Sequence, residues 1–236
     1  MIQTVAETGS TSADLAARLR AGERVAEGDW LVADRQVAGR GRQGRPWSDG
    51  AGNFMGSTVV RPGAGDPPPH TLTLAVALAA YETVLPLRAD PRALTIKWPN
   101  DLLLGGAKLS GILLEREGDA VVIGIGVNLA QAPALPDRPT VALAKLGPTP
   151  DRDAFALGLA AAFDREIERW RTFGTEPLIR RWLAAAHPVG TPLKVHDAGG
   201  VAVEGTFAGL APDASLLLRL EDGTSRAIHA GDVSLG

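Results

Sequence analysis

The sequence predicts an α+β protein: a mixed sheet with flanking helices, followed by a small all-β barrel. Three observations carry this. Apolar runs between residues 101 and 128 are joined by tight glycine-containing turns, an antiparallel meander that a purely doubly wound fold would not contain. Two long helical patterns, His70 to Leu87 and Asp151 to Phe173, supply a flanking layer. After Gly190 the texture changes to short β runs with turn residues roughly every eight to ten positions.

In chain order, Thr8-Gly9-Ser10-Thr11-Ser12 precedes a helical pattern carrying Leu15 and Leu19 and ending at Gly22. Thr11 and Asp14 have capping-box spacing, so a helix cap alone accounts for these hydroxyls, although hydroxyls at a helix start also suit a polar ligand. Trp30 to Ala33 reads as a short strand, and Asp34-Arg35-Gln36 leads into Gly39-Arg40-Gly41-Arg42-Gln43-Gly44-Arg45. Phe54 to Val60 resumes as a strand and Pro62 to Pro69 is a loop. The helix from His70 repeats Leu72, Val76, Ala79, Ala80 and Val84 at helical spacing, and Thr73, Tyr81, Glu82 and Pro86 interrupt it as a membrane span. Leu94 to Trp98 alternates and stops at Pro99. Leu102 to Leu104 turns at Gly105-Gly106 into Lys108 to Glu115, and Glu117-Gly118-Asp119 turns into Ala120 to Asn128, which is apolar on both faces and therefore central. Residues 130–150 form a proline-rich loop. Asp151 to Phe173 is amphipathic, Glu176 to Ala186 is a shorter helix, and His187-Pro188 breaks it. The β runs are Leu193 to His196, Val201 to Leu210, Ser215 to Leu220, Ser225 to His229 and Val233 to Leu235, which puts a domain boundary near residue 188 and gives units 1–187 and 188–236.

The 236 residues are 45% hydrophobic, enough for a core and too many for a disordered chain. The net charge of −3 disfavours bulk attraction to nucleic acid or anionic membrane, so the arginines near Arg40 are a local feature. The absence of cysteine removes disulfides, thiolate metal sites and a catalytic thiol, and fits a reducing compartment. Met1-Ile2-Gln3-Thr4 lacks the basic start and apolar run of a leader, so the expected location is the cytoplasm.

Two stretches carry chemistry. The Gly/Arg run matches G-x-G-x-x-G in letters, but Pro46, Gly50 and Gly52 prevent the helix that a dinucleotide fingerprint needs. A disordered RG-type contact with RNA would be longer and terminal, whereas this run lies between two strands. Arginine forks suit phosphate or carboxylate, and glycine admits a ligand close to the backbone, so the run reads as a loop that folds over an anion and is mobile until one binds. The second stretch is Lys97-Trp98-Pro99-Asn100-Asp101 with Lys108 beyond it. Lys97 and Lys108 fall close together in the hairpin, and two unpaired cations there would call for an anionic ligand between them. Gly111, Gly124 and Gly126 remove side chains from neighbouring strands, opening the backbone to close approach.

Taken in order, the Gly39–Arg45 run, Lys97-Trp-Pro-Asn-Asp101, Lys108-Leu-Ser-Gly-Ile112 and Gly126-Val-Asn128 resemble the motifs of biotin–protein ligases over almost the whole chain. The resemblance implies a catalytic domain related to class II tRNA synthetases and an SH3-like barrel after it. It implies that biotin and Mg-ATP give biotinyl-5′-AMP and pyrophosphate, after which a lysine of the biotin carboxyl carrier protein attacks the adenylate. By the same resemblance Ser10, Thr11, Ser12 and Gln36, with Arg40, hold the ureido ring. Gly41, Arg42, Lys108 and Gly111 lie along the biotin carboxylate and its phosphate linkage. Lys97, Asn100, Asp101 and Arg45 surround the adenylate, with Trp47 on the adenine side and Asn128 close by. Arg42, Lys97, Asp101 and Lys108 are the catalytic group, and Mg2+ arrives with ATP rather than in a fixed side-chain site. The family often has asparagine where this chain has Ser12. Many bacterial members also begin with a helix-turn-helix repressor domain; here the motif starts at Ser10, so the expectation is a monofunctional ligase with neither DNA nor membrane as partner and a homodimer left open. The rivals are a lipoate–protein ligase, whose apolar substrate needs no polar pocket, and a non-enzymatic nucleotide- or RNA-binding module.

Overall fold

The computed structural model describes residues 1–87, 93–197 and 202–235. The first sheet has seven strands: β1 (Ile2–Thr8), β2 (Trp30–Gln36), β3 (Phe54–Val60), β4 (Leu94–Lys97), β5 (Asp101–Leu104), β6 (Ala107–Glu117) and β7 (Ala120–Val127), in spatial order β1-β2-β3-β7-β6-β5-β4. β1 and β2 are parallel and every other neighbouring pair is antiparallel, so the sheet is mixed. The apolar β7 occupies the middle position, as its two-faced hydrophobicity requires. The meander starts one strand earlier than the turns indicate, at β4, because Pro99 and Asn100 also reverse the chain. β1 has no counterpart in the sequence reading: as an edge strand its burial follows no two-residue period, so it carries no alternation to find.

Among the described residues four α-helices clothe the sheet: α1 (Thr11–Arg20), α2 (Leu72–Val84), α3 (Arg152–Phe173) and α4 (Thr175–Ala185). Alternate residues of the central strands go to opposite sides. Leu31, Val59 and Val122 pack under Leu15 of α1, while Trp30, Val32, Val60, Val121 and Ile123 pack with α2, α3 and α4. Pro69–Leu87 is apolar and long enough to cross a membrane, yet more than half of it is buried against protein. α2 lies in the core with nine of its residues buried, and α3 fits Phe155, Leu159, Phe163, Ile167 and Trp170 onto that layer. The cap of α1 is Ser10, whose side chain accepts from the Ala13 amide, rather than Thr11; Asp14 instead accepts from the Thr8 hydroxyl at 2.5 Å.

The second sheet is antiparallel and five-stranded: β8 (Pro192–Asp197), β9 (Ala202–Leu210), β10 (Leu216–Arg219), β11 (Ser225–Ile228) and β12 (Gly231–Leu235), ordered β11-β10-β9-β8-β12. Val201, read as the start of the longest run, lies outside the described residues. Leu193, Val195, Phe207, Leu216, Leu218 and Val233 join the same hydrophobic cluster as α2–α4, so this sheet is packed onto the rest of the protein.

Candidate functional site

α1 covers only part of its face of the sheet. On that face β7 presents Val122 beneath α1, then Gly124 and Gly126, and Gly111 of β6 pairs directly with Gly126. The bare strip forms the floor of a cavity of about 750 Å3, within the range of small-molecule sites. Ser10, Thr11, Ser12, Gln36, Arg40, Gly41, Arg42, Arg45, Trp47, Lys97, Asn100, Asp101, Lys108, Gly111 and Asn128 all line it, so the residues to which the resemblance gives a role converge on one place. Trp47, Ser12 and the end of Lys108 lie against the strip. A Cβ on Gly111 would stand 2.9 Å from the Trp47 indole, and one on Gly126 would overlap that ring. A Cβ on Gly124 would stand 2.5 Å from Ser12 Oγ.

One end of the cavity is neutral and hydrogen-bonded. The Thr11 amide donates to Gln36 Oε1 at 2.7 Å, and the Thr11 hydroxyl reaches the same oxygen at 3.0 Å. Ser57 Oγ, from β3, lies 2.7 Å from Thr11 Oγ1 and 2.9 Å from Ser12 Oγ. Thr11, Ser12, Gln36 and Ser57 are all buried, so this cluster is shielded from competing water.

The other end is ionic. Lys108 Nζ is 2.6 Å from Asp101 Oδ1 and Lys97 Nζ is 3.2 Å from Asp101 Oδ2. This corrects the expectation of two unpaired cations awaiting a ligand: the anion between them is Asp101, placed there because β5 pairs with β4 on one side and β6 on the other. Burial pushes the Asp101 carboxyl up, and Lys108 and Lys97 more than offset this, holding it below the ordinary carboxylate range. With both oxygens engaged, Asp101 fixes the two ammonium groups in the cavity wall. Asn100 donates to the Ile112 carbonyl at 2.6 Å, and Asn128 donates to the Val141 carbonyl at 3.2 Å.

The Gly/Arg loop, read from the sequence as mobile until an anion binds, already has partners within the protein. Arg40 approaches Glu115 at 3.7 Å, and Arg45 pairs with Asp232 of β12. Arg42 donates to Asn100 Oδ1 at 3.3 Å and to the Gly231 carbonyl at 3.1 Å; among its described partners there is no carboxylate, so its charge is free for an anion. Lys97 completes the link to the second sheet by donating to the Val233 carbonyl at 2.8 Å. Six cationic side chains line the cavity against three carboxylates, an excess of positive charge in a chain whose net charge is −3. Among the described residues no three His, Cys, Asp or Glu side chains gather as metal ligands.

The motifs missed part of the wall. Ser57, Arg138, His196, Asp232 and Ser234 line the cavity from segments without a motif. For Ser57 a signal existed: Gly56-Ser57-Thr58 interrupts an otherwise apolar, wholly buried strand. For Asp232 and Ser234 there was none, because only the packing of the two sheets brings them close.

Comparisons with known proteins converge. A profile for the biotin/lipoate A/B protein ligase family matches residues 11–128, and one for the biotin protein ligase C terminal domain matches residues 190–236. Biotin--[acetyl-CoA-carboxylase] ligase of Paracoccus denitrificans is 39% identical over 98% of this chain and 99% of its own length. Its counterpart in Mycobacterium tuberculosis is 38% identical over 98% of this chain and 88% of its own. Among solved structures, biotin protein ligase from Aquifex aeolicus in complex with biotin and ATP aligns with a TM-score of 0.86 at 26% identity, covering 100% of this chain and 98% of that one.

Proposed function

The chain belongs to the biotin protein ligase family, and on that premise we propose that its cavity takes biotin and ATP side by side, joins them as biotinyl-5′-AMP and passes the biotinyl group to a lysine of a biotin carboxyl carrier protein. The observation that carries this reading is the polarity of the cavity: a neutral hydroxyl and amide end, a glycine floor, and a cationic end. Biotin has the same order of groups, with a urea at one end and a carboxylate at the other. A lipoyl group offers nothing to hydrogen-bond at the Thr11–Gln36 end, which favours the biotin branch over the lipoate branch.

In this reading Ser10, Thr11, Ser12 and Gln36 take the urea with Arg40, and the chain of biotin lies over Gly124 and Gly126. Its carboxylate meets Lys108 beside Gly111, with Gly41 and Arg42 closing from above. Lys97, Asn100, Asp101 and Arg45 surround the adenylate, with Trp47 and Asn128 near the base. A carboxylate oxygen attacks the α-phosphorus of ATP and pyrophosphate leaves. Negative charge builds on the phosphoryl oxygens in that step, and Lys97, Lys108 and Arg42 are fixed donors in a partly buried wall, where such charge is best stabilised. The acceptor amine then attacks the acyl carbon, AMP departs with the bonding pair, and the amine loses its proton. Closure of the Gly/Arg loop keeps water from the acyl phosphate between the two steps. Mg2+ would come with the triphosphate, while Asp101 has a lysine on each oxygen.

Residues 1–187 would form the catalytic unit and 188–236 a C-terminal unit whose last strand completes the cavity wall through Val233, Gly231 and Asp232. Dependence on ATP supports a cytoplasmic location. The test is ATP–pyrophosphate exchange with biotin and with lipoate, followed by transfer to a carrier protein. Exchange that requires biotin and ignores lipoate is expected; exchange driven by lipoate, or none with either acid, would overturn the reading.

A further inference from the structure

The protons of the hydroxyl cluster can be placed one at a time. The Thr11 amide only donates, so the Gln36 atom 2.7 Å from it is the carbonyl oxygen, and Gln36 Nε2 faces away. Thr11 Oγ1 lies 3.0 Å from that same oxygen. Two oxygens this close repel unless a proton lies between them, and a carbonyl has none to give, so the Thr11 hydroxyl donates to Gln36. Its single proton is then used. Ser57 Oγ, 2.7 Å away, therefore donates to Thr11. Ser57 has no second proton for Ser12 Oγ at 2.9 Å, so Ser12 donates to Ser57. The relay runs from Ser12 through Ser57 and Thr11 to Gln36, and every hydroxyl hydrogen in it is consumed inside the wall.

What Ser12 then shows to the cavity is lone pairs alone. A serine hydroxyl ordinarily donates or accepts as its surroundings ask. Here it is held as an acceptor, over the bare Gly124 backbone. The urea of biotin carries two N–H donors, each of which needs such an acceptor. An asparagine here would bring a carbonyl of its own; a serine acquires the same polarity only through the strand residue behind it.

We propose that Ser57 is a positioning residue that fixes Ser12 as the hydrogen-bond acceptor for a ureido N–H of biotin, so that the Ser12–Ser57 pair presents the acceptor that an amide carbonyl would. The proposal rests on the biotin reading above. Ser57 lies in the cavity wall behind Ser12 with no exposed surface of its own, and it acts through that neighbour.

The test uses the full chain and measures kcat and KM for biotin and for ATP in pyrophosphate exchange, with direct titration of biotin alongside. The variants are Ser57→Ala, Ser12→Ala, the double variant, Ser12→Asn, and Ser12→Asn with Ser57→Ala. Ser57→Ala should raise the KM for biotin about tenfold, the usual worth of one hydrogen bond, with kcat and the KM for ATP within threefold of the parent. Ser12→Ala should do the same, and the double variant no more than either alone, because both remove one interaction. In the Ser12→Asn background Ser57→Ala should cost less than threefold. An unchanged KM for biotin in Ser57→Ala, a multiplicative loss in the double variant, or a parallel fall in kcat and ATP affinity would each overturn the proposal. If the parent binds biotin and exchanges pyrophosphate while Ser57→Ala is indifferent, only the relay falls. A parent that binds no biotin would remove the biotin reading and the relay together.

Discussion

At the hydroxyl end of the cavity, side chains from α1, β2 and β3 satisfy one another over 2.7–3.0 Å with no charge among them. At the cationic end, Lys97, Lys108 and Arg42 are held by a buried carboxylate and by carbonyls of β12, a strand more than a hundred residues away from Lys108 in the chain. The first end is built within one face of one sheet. The second is complete only when the C-terminal sheet is docked. The contrast separates what each end can do. A neutral, locally satisfied wall recognises a fixed shape, whereas a wall assembled from two sheets can tighten or slacken as charge arrives and leaves.

Four perturbations bear on that contrast, the first acting hardest. Lys108→Met keeps most of the side-chain volume, removes the charge and leaves Asp101 with one partner; biotin-dependent exchange should fall at least about a hundredfold with circular dichroism unchanged. Exchange within threefold of the parent would reduce Lys108 to a structural partner of Asp101.

Arg42→Gly should loosen the cationic end without touching the urea end. It removes the bonds to Asn100 and Gly231, so the adenylate should still form but leave about ten- to a hundredfold faster, for one charge-assisted contact. Released biotinyl-AMP should then biotinylate serum albumin added to the mixture. Albumin labelled no more than by the parent, at equal adenylate synthesis, would clear Arg42 of retaining the intermediate.

His187 lies at the base of the second sheet, edge-on to Phe207 at 5.0 Å, with neither ring nitrogen hydrogen-bonded. Burial, aided by the Lys97 charge, lowers its pKa from 6.5 to about 4. Between those values the unfolded chain binds a proton that the folded chain refuses. Its contribution is therefore whole above pH 6.5 and declines as pH falls towards 4, by roughly 2–3 kcal/mol. Urea unfolding at pH 7 and pH 4.5 should show the decline, and His187→Phe should flatten it; equal slopes in both proteins would remove His187 as the cause.

The smallest effect belongs to Asp232→Ala. The Arg45–Asp232 pair is 45% and 31% exposed on its two sides, so its loss should cost less than about 1 kcal/mol. Trypsin cleavage after Arg40 and Arg42, the loop sites not followed by proline, is the sharper readout and should quicken; cleavage at the parental rate would show that the pair does not restrain the loop.

The parts of this architecture visible in the sequence are those specified locally. The meander is written in Gly105-Gly106 and Gly118, the central strand in an unbroken apolar run, and the two motif stretches in residues whose chemistry fits no helix or strand interior. What was hidden depends on partners distant in the chain. Lys97 and Lys108 looked unpaired because Asp101 becomes their common neighbour only through two strand pairings. Ser57 looked like one serine in a strand because its meaning lies in the three hydroxyl and amide groups around it. The Gly/Arg loop looked mobile without an anion because its counterparts, Asp232 and the Gly231 carbonyl, are near the other end of the chain.

Trp47 gives the cavity an optical readout. Of the five tryptophans, Trp30, Trp98, Trp170 and Trp182 are buried in the core, and Trp47 alone is half-buried, leaning on Gly111 and Gly126 with its indole N–H unpaired. Any molecule laid along the glycine strip must shift that ring or cover it. Four emitters stay constant while the fifth changes its surroundings, so the intrinsic fluorescence of the unlabelled protein reports occupancy of the cavity directly, and a titration can be followed by colour and intensity without a dye or a coupled enzyme.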